Sequence, residues 1–188
     1  HVVFERYQHL VKYWLTFNEI NGGTTQLGTT LSLGTVKGYS GPVNGIQITP
    51  QLRYTALHHQ LVASAKVVAY AHAHYPQFQL GDMNVFLTAY PLTCDPKDIL
   101  ATQQHNNVLN WFCSDVQIRG AYPSYMDRYF RENGIDLQIT EEEKEILDRQ
   151  IAERVLTLPA VTDAGAVYGY ASLNWETGTA EILKELWK

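Results

Sequence analysis

The stretch WLTFNE (residues 14–19) is largely apolar and then ends on an amide and a carboxylic acid. Residues 12–17 are rich in β-branched and aromatic side chains, which is typical of a short buried strand. The fold and the chemistry of the chain both depend on whether Glu19, at the end of that strand, marks a turn or a reactive site.

The composition indicates a globular protein with one principal domain. The chain has 188 residues, of which 45% are hydrophobic and 18% charged, so it is long enough to bury one core. The formal net charge is −5, and no run of Lys or Arg provides a basic surface. We therefore predict neither a nucleic-acid partner nor a membrane partner.

The cysteine content favours a reducing compartment. Cys94 and Cys113 form no CxxC pair, no apolar run approaches the length of a membrane span, and no signal peptide opens the chain. A cytoplasmic location is predicted. The chain begins at His1 within a predicted helix rather than at Met, which suggests a piece of a longer protein.

Helices and strands alternate in the N-terminal half, which indicates an α/β fold. Apolar residues at helical spacing precede the strand at 12–17, and a glycine-rich loop runs from residue 18 to about residue 50. A long helix is predicted over residues 51–75 and a second strand over residues 78–86. Because strand, helix and strand form a crossover unit, the two strands should be parallel.

The C-terminal half is predicted to be mainly helical up to about residue 154. The expected elements are a helix capped by Asp95 that runs to about Val116, a helix from Pro123 to Gly134, a helix from the Thr140/Glu143 capping box to about Arg154, a strand-like segment at residues 164–175 and a short last helix capped by Thr179.

The position of Glu19 gives it a potential chemical role. In parallel sheets, ligands bind at the C-terminal ends of the strands. Partial desolvation there favours the neutral carboxyl group and suits it to proton donation, and Asn18 supplies the donor and acceptor that a sugar hydroxyl requires. A surface glutamate after a strand, with Asn18 as a turn former, is the competing interpretation.

Five ordered segments carry a resemblance to a known family. VKYWLTFNEIN (residues 11–21) closely resembles the fourth-strand signature of glycoside hydrolase family 1, in which Thr-Phe-Asn-Glu carries the acid/base. The other four are ALHHQLVASA (56–65), YPLTCDPKDIL (90–100), DVQIRGAYP (115–123) and RYFRENGI (128–135). Together they are similar to the bacterial 6-phospho-β-glucosidases of that family.

The resemblance implies a (β/α)8 TIM barrel, of which this chain would hold about strands four and five with their helices. Residues 1–150 are then a partial barrel domain. Residues 151–188 form a tail of unknown origin, with packing on the same domain as one option.

The resemblance also implies hydrolysis of β-glucosidic bonds in 6-phosphorylated disaccharides with retention, by two carboxyl groups about 5 to 5.5 Å apart. Glu19 matches the acid/base, and Asn18 matches the residue that hydrogen-bonds the sugar 2-hydroxyl. Asn84 and Tyr90 are further candidate substrate contacts on the leaving-group side. Neither a cofactor nor a metal is implied. The partner is a phosphorylated β-glucoside, and a homo-oligomer is left open.

The nucleophile of the family is not recognisable in this sequence. The chain alone is therefore expected to be nearly inactive and to form part of a larger enzyme. The alternatives are a non-catalytic sugar-binding or assembly module and a fragment of an unphosphorylated β-glucosidase or β-galactosidase. The hydrolase hypothesis requires Glu19 to project into a pocket rather than into bulk water.

Three other motifs receive structural interpretations. Glu132, in a Glu-Asn-Gly sequence, follows a segment with helical spacing of apolar residues, for which Gly134 is a natural C-cap. Glu176 is assigned to a turn before the last helix. The histidines at positions 58, 59, 72 and 74 do not share one helix face, so no metal site is predicted.

Overall fold

The computed structural model describes residues 1–35, 37–42, 45–146, 156, 159–163 and 180–186. This part of the chain is mostly helical around a small parallel sheet. In chain order its elements are helix α1 (Val2–Tyr7), strand β1 (Tyr13–Leu15), a 3-10 helix (Ile20–Thr24), α2 (Gly28–Leu31), α3 (Pro50–His74), β2 (Gln79–Gly81), α4 (Pro96–Asn106), a π-helical turn (Asn107–Trp111), α5 (Phe112–Arg119), α6 (Ser124–Glu132) and the short helices Pro159–Thr162 and Ala180–Leu186. Residues 141–146 are also helical.

Strands β1 and β2 lie side by side and parallel, as predicted from the strand, helix, strand order. Trp14 pairs with Leu80 at the centre of the register. Just beyond the sheet, the backbone N–H of Ile20 donates to the carbonyl of Met83 at 3.2 Å. The two segments therefore stay adjacent beyond the end of β1, as far as Ile20.

Both strands are shorter than the predicted ranges 12–17 and 78–86. The described residues contain only these two strands, and they do not form a closed barrel. One face of β1 is open: Tyr13 and Leu15 are 70% and 60% exposed.

Helix α3 connects the strands and lies within one residue of its predicted range. It begins because the Thr49 side chain accepts the backbone N–H of Leu52 at 3.2 Å and Pro50 has no N–H to satisfy at the first turn. It ends at His74, two residues before Pro76. No helix among the described residues is long and apolar enough to cross a bilayer.

The main core lies between α3, α5, α6 and the 3-10 helix. Its fully buried members include Ile20, Leu57, Phe112 and Met126. A second cluster, centred on Phe4, Ala71 and Phe78 with Trp14 against it, packs the sheet onto α1 and the end of α3.

The predicted helix from Asp95 to about Val116 is present but is interrupted by the π-helical turn, which the sequence pattern did not predict. Helix α6 ends at Glu132, and Gly134 has a left-handed φ of 63°. This confirms the helix-end interpretation of the Glu-Asn-Gly sequence.

The capping box is also confirmed. The backbone N–H of Thr140 donates to Glu143 at 2.9 Å, and that of Glu143 donates to the Thr140 hydroxyl at 3.2 Å. The last helix is present at Ala180–Leu186. Four of the predicted features lie outside the described residues: the helix end at 147–154, the strand-like segment at 164–175, the turn at Glu176 and the cap at Thr179.

The glycine-rich segment after Glu19 folds back on itself, because α2 begins in direct contact with the 3-10 helix. A Cβ atom on Gly28 would lie 1.9 Å from the Gly22 carbonyl oxygen, whereas a Cβ on Gly22 itself would meet nothing within 4 Å. Gly28 is thus required for a close approach of two backbone segments.

We expect Gly28→Ala to lower the free energy of unfolding by about 1 to 3 kcal/mol, since the backbone must shift to relieve the contact. Urea denaturation measures this. Gly22→Ala is the matched control and should change stability by less than about 0.5 kcal/mol. Equal effects of the two substitutions would contradict the close approach.

His58 joins α3 to the C-terminal part of the described chain. It is 1% exposed; its Nδ1 lies 2.8 Å from the Tyr122 hydroxyl, and its Nε2 lies 3.6 Å from Glu143 Oε2. Burial lowers the pKa of His58 below its usual value, while the Glu143 carboxylate opposes that shift and exposed His59 adds to it. The hydrogen bond from the Thr140 backbone lowers the pKa of Glu143.

These shifts predict a protein that is less stable in acid. The folded state binds fewer protons at His58 than the unfolded chain does, so the free energy of unfolding should fall as pH drops below about 6.5, and Glu143 adds to the loss below about 4.3. Denaturation curves between these two pH values test this. His58→Gln should flatten the slope, whereas His59→Gln, which removes only a minor cause of the shift, should change it much less. An equal slope in all three proteins would exclude His58 as its source.

Candidate active site

Glu19, which follows β1 after Thr16, Phe17 and Asn18, adopts an unusual backbone conformation. Its φ and ψ are 45° and 50°, in the left-handed region that residues other than glycine rarely occupy. Asn18 and Glu19 are exposed, whereas Ile20 and Asn21, directly after them, are 1% and 0% exposed. The backbone therefore turns at Glu19, between the exposed pair Asn18 and Glu19 and the buried pair Ile20 and Asn21. Such strain costs about 1 to 3 kcal/mol and is found most often at functional sites.

The side chain of Asn21 holds this conformation in place. Its Nδ2 donates to the carbonyl oxygens of Val85 at 2.7 Å and Leu109 at 2.8 Å, and its Oδ1 accepts the backbone N–H of Val85 at 2.9 Å. The Glu19 carbonyl in turn accepts the N–H of Gly22 at 2.8 Å. Because buried polar groups cost free energy when unpaired, these bonds fix the position of the 3-10 helix.

The expected environment of Glu19 requires a correction. The sequence predicted a partly desolvated carboxyl group that projects into a pocket, but Glu19 is exposed and lines none of the four best-defined cavities of the described residues. The physical reason is that the described chain supplies only two strands, so nothing in it packs over the end of β1.

A hydrogen bond ties the neighbouring part of β1 to α3. The Thr16 hydroxyl lies 2.7 Å from the Ser64 hydroxyl. By the alternation of strand side chains, Thr16 faces the helix layer, and Tyr13 and Leu15 face the open side.

The other two candidate contacts, Asn84 and Tyr90, differ in availability. The Asn84 amide nitrogen donates to Asp82 and, at 2.9 Å, to the Ser114 hydroxyl on α5. Tyr90 is 82% exposed. The residue before Asn84, Met83, accepts the backbone N–H of Ile20, so Asn84 lies close to the segment that follows Glu19. The Asn84 amide nitrogen, however, is already bonded within the protein.

Sequence reasoning missed two buried asparagines that shape this region. Asn110, 2% exposed, binds Leu87 as Asn21 binds Val85: its Oδ1 accepts the Leu87 N–H and its Nδ2 donates to the Leu87 carbonyl, both at 3.0 Å. For Asn110 the available signal was an amide within an otherwise apolar run, Val-Leu-Asn-Trp-Phe. Asn21, between Glu-Ile and two glycines, carries no such signal.

No group of three or more His, Cys, Asp or Glu side chains that could hold a metal ion occurs within the described ranges. Glu19 and Asn18 can supply proton transfer and hydrogen bonding in this region.

Comparison with known families shows the family of the chain. The sequence model of the family described as Glycosyl hydrolase family 1 matches residues 1–158. The chain belongs to glycosyl hydrolase family 1. Members of that family have the (β/α)8 barrel that the resemblance implied, and the parallel pair β1 and β2 is consistent with a part of it.

Among curated family 1 proteins, the chain is 45% identical over 150 residues to a 6-phospho-beta-glucosidase of Dickeya chrysanthemi, 43% over 153 residues to a phospho-cellobiase of Klebsiella oxytoca, and 39% over 170 residues to the aryl-phospho-beta-D-glucosidase BglH of Bacillus subtilis. These alignments cover 77%, 79% and 86% of this chain but 29%, 30% and 34% of the relatives. The chain thus spans about a third of the length of these relatives.

We expect Asn21→Ala to destabilise the chain by about 2 to 4 kcal/mol, because buried backbone groups of Val85 and Leu109 would lose a partner. Chemical denaturation gives the value. Asn18→Ala, at an exposed position, should change stability by less than about 0.5 kcal/mol. A similar effect of both substitutions would show that the buried amide does not fix this region.

Proposed function

We propose that this chain is the acid/base portion of an enzyme that hydrolyses β-glucosidic bonds in 6-phosphorylated disaccharides with retention. The observation that carries the proposal is Glu19: it follows a parallel strand at its C-terminal end, in a strained left-handed conformation, within the family 1 match. The names of the relatives, 6-phospho-beta-glucosidase and phospho-cellobiase, support the substrate class.

In the proposed architecture, β1 and β2 are strands four and five of a (β/α)8 barrel, and α3 is the helix between them. The exposed side chains of Tyr13 and Leu15 then face the barrel interior. The pocket around Glu19 would be closed by barrel elements other than those described, which would supply the desolvation that suits a carboxyl group to proton donation.

In the first step, the neutral Glu19 carboxyl group donates its proton to the glycosidic oxygen while a second carboxylate attacks the anomeric carbon. The leaving sugar departs as an alcohol, and a covalent glycosyl-enzyme forms. In the second step, the Glu19 carboxylate takes a proton from water, whose oxygen attacks the anomeric carbon and releases the second carboxylate. Two inversions give net retention.

Asn18 and Tyr90 are assigned supporting contacts in this mechanism. The Asn18 amide donates to the sugar 2-hydroxyl, and the exposed Tyr90 meets the leaving-group side. We give Asn84 a lesser part, since its amide nitrogen is bound by Asp82 and Ser114.

The nucleophile is proposed to come from another part of the barrel, so the isolated chain should show no turnover of a chromogenic 6-phospho-β-glucoside above the buffer rate. If the isolated chain instead hydrolyses this substrate at an ordinary enzyme rate, and Glu19→Gln abolishes that activity, the proposal that the nucleophile lies in another part of the barrel is wrong.

The role of Glu19 is best tested in a chimera in which residues 1–158 replace the matching segment of the Dickeya chrysanthemi relative. Glu19→Gln in the chimera should lower kcat/KM by about 10² to 10⁴ for substrates with a poor leaving group, and by much less for a dinitrophenyl leaving group that needs no protonation. Glu142→Gln, at an exposed helix start, is the control and should leave the rate unchanged. Uniform loss across leaving groups would contradict the acid role.

A further inference from the structure

A cavity of about 440 Å³ lies between α4, the π-helical turn, α6 and the end of the 3-10 helix. This volume is within the range of about 300 to 1,000 Å³ that is typical of small-molecule sites. Glu19 and Asn18 are not among its lining residues, although Thr24 and Thr25, at the far end of the same 3-10 helix, are. The cavity is therefore separate from the strand-end site.

Two fixed aromatic rings form part of the cavity wall. The Tyr125 hydroxyl donates to Asp115 at 2.7 Å, and the Tyr129 ring packs edge-on against the buried Tyr54 ring with centroids 5.6 Å apart. Both tyrosines line the cavity and are half-buried. Rigid rings of this kind provide apolar surface at little cost in conformational entropy.

The π-helical turn and the end of α4 form another part of the cavity wall. Asn107 and Val108 lie in this turn, and Gln104 precedes it on α4. The side-chain amides of Gln104 and Asn107 make no hydrogen bond to any residue that the structure describes. Single π-helical turns are frequent at functional sites because they shift side chains out of the regular helical pattern.

The charge of the lining argues against a phosphorylated ligand. Arg128 Nε lies 2.7 Å from Glu132 Oε1, so these opposite charges are paired. The described lining includes no lysine and no second arginine, and His105 is its remaining basic group. A phosphate group would therefore lack the bidentate arginine contact that it favours.

We propose that this cavity binds a neutral sugar ring of a glycoside, with the ring against Tyr125 and Tyr129 and its hydroxyl groups on the Gln104 and Asn107 amides. A sugar has apolar ring carbons and polar edges, which match a lining that combines aromatic rings with side-chain amides. The proposal does not rest on Glu19 acting as an acid/base.

Calorimetric titration of the full chain with cellobiose and with glucose 6-phosphate tests the proposal. Cellobiose should bind, and glucose 6-phosphate should bind at least about tenfold more weakly. Gln104→Trp fills the cavity mouth from an exposed helix position and should weaken cellobiose binding by about tenfold or more. Gln103→Trp, at an equally exposed neighbouring position that does not line the cavity, should change it by less than about twofold.

Three results would overturn the proposal: no cellobiose binding, glucose 6-phosphate binding as tight as that of cellobiose, or cellobiose binding that is the same in Gln104→Trp as in the unsubstituted chain. Binding that survives Glu19→Gln supports a separate site. Binding that Glu19→Gln abolishes places the sugar at the strand end and excludes the cavity, so the two proposals fail in different ways.

Discussion

The buried amide of Asn21 is the interaction on which the geometry of the candidate site depends. It satisfies both backbone groups of Val85 and the carbonyl of Leu109, which lie 64 and 88 positions away in the chain. A fully buried amide has few ways to satisfy its donors and acceptor, so it fixes the position of the residues around it. The left-handed conformation of Glu19 persists because Ile20 and Asn21 are held in the core on one side and β1 is paired on the other.

The chain beyond β2 illustrates how an extended segment is held without a neighbouring strand. Asn21 and Asn110 each bind the N–H and C=O of one residue, Val85 and Leu87 respectively. In an extended chain these alternate residues direct their backbone groups to the same side, so two side-chain amides replace a paired strand there. The 3-10 helix and the π-helical turn are thereby joined through the same segment, and the strand-end site and the cavity share one rigid support.

The family assignment and the structure together explain why the chain has an open sheet. The chain spans about a third of the length of its relatives, and its two described strands leave Tyr13 and Leu15 exposed. Unpaired edges and uncovered apolar faces are features that a closed barrel removes. In our proposal the same closure also buries Glu19, so the stability of the sheet and the chemistry of the carboxyl group depend on one structural event.

The sequence by itself determined the helices, the parallel order of the strands, the family and the identity of Glu19 and Asn18 as candidate residues. These signals are local: Thr49 with Pro50 begins α3, Pro76 follows its end, and Thr140 with Glu143 caps a later helix. Only the tertiary structure decided the short strands, the π-helical turn, the exposure of Glu19 and the roles of Asn21 and Asn110. The reason is that a buried amide acquires its partners from distant segments, and the burial of a carboxyl group depends on what packs over it, neither of which is encoded within a few residues of either side chain.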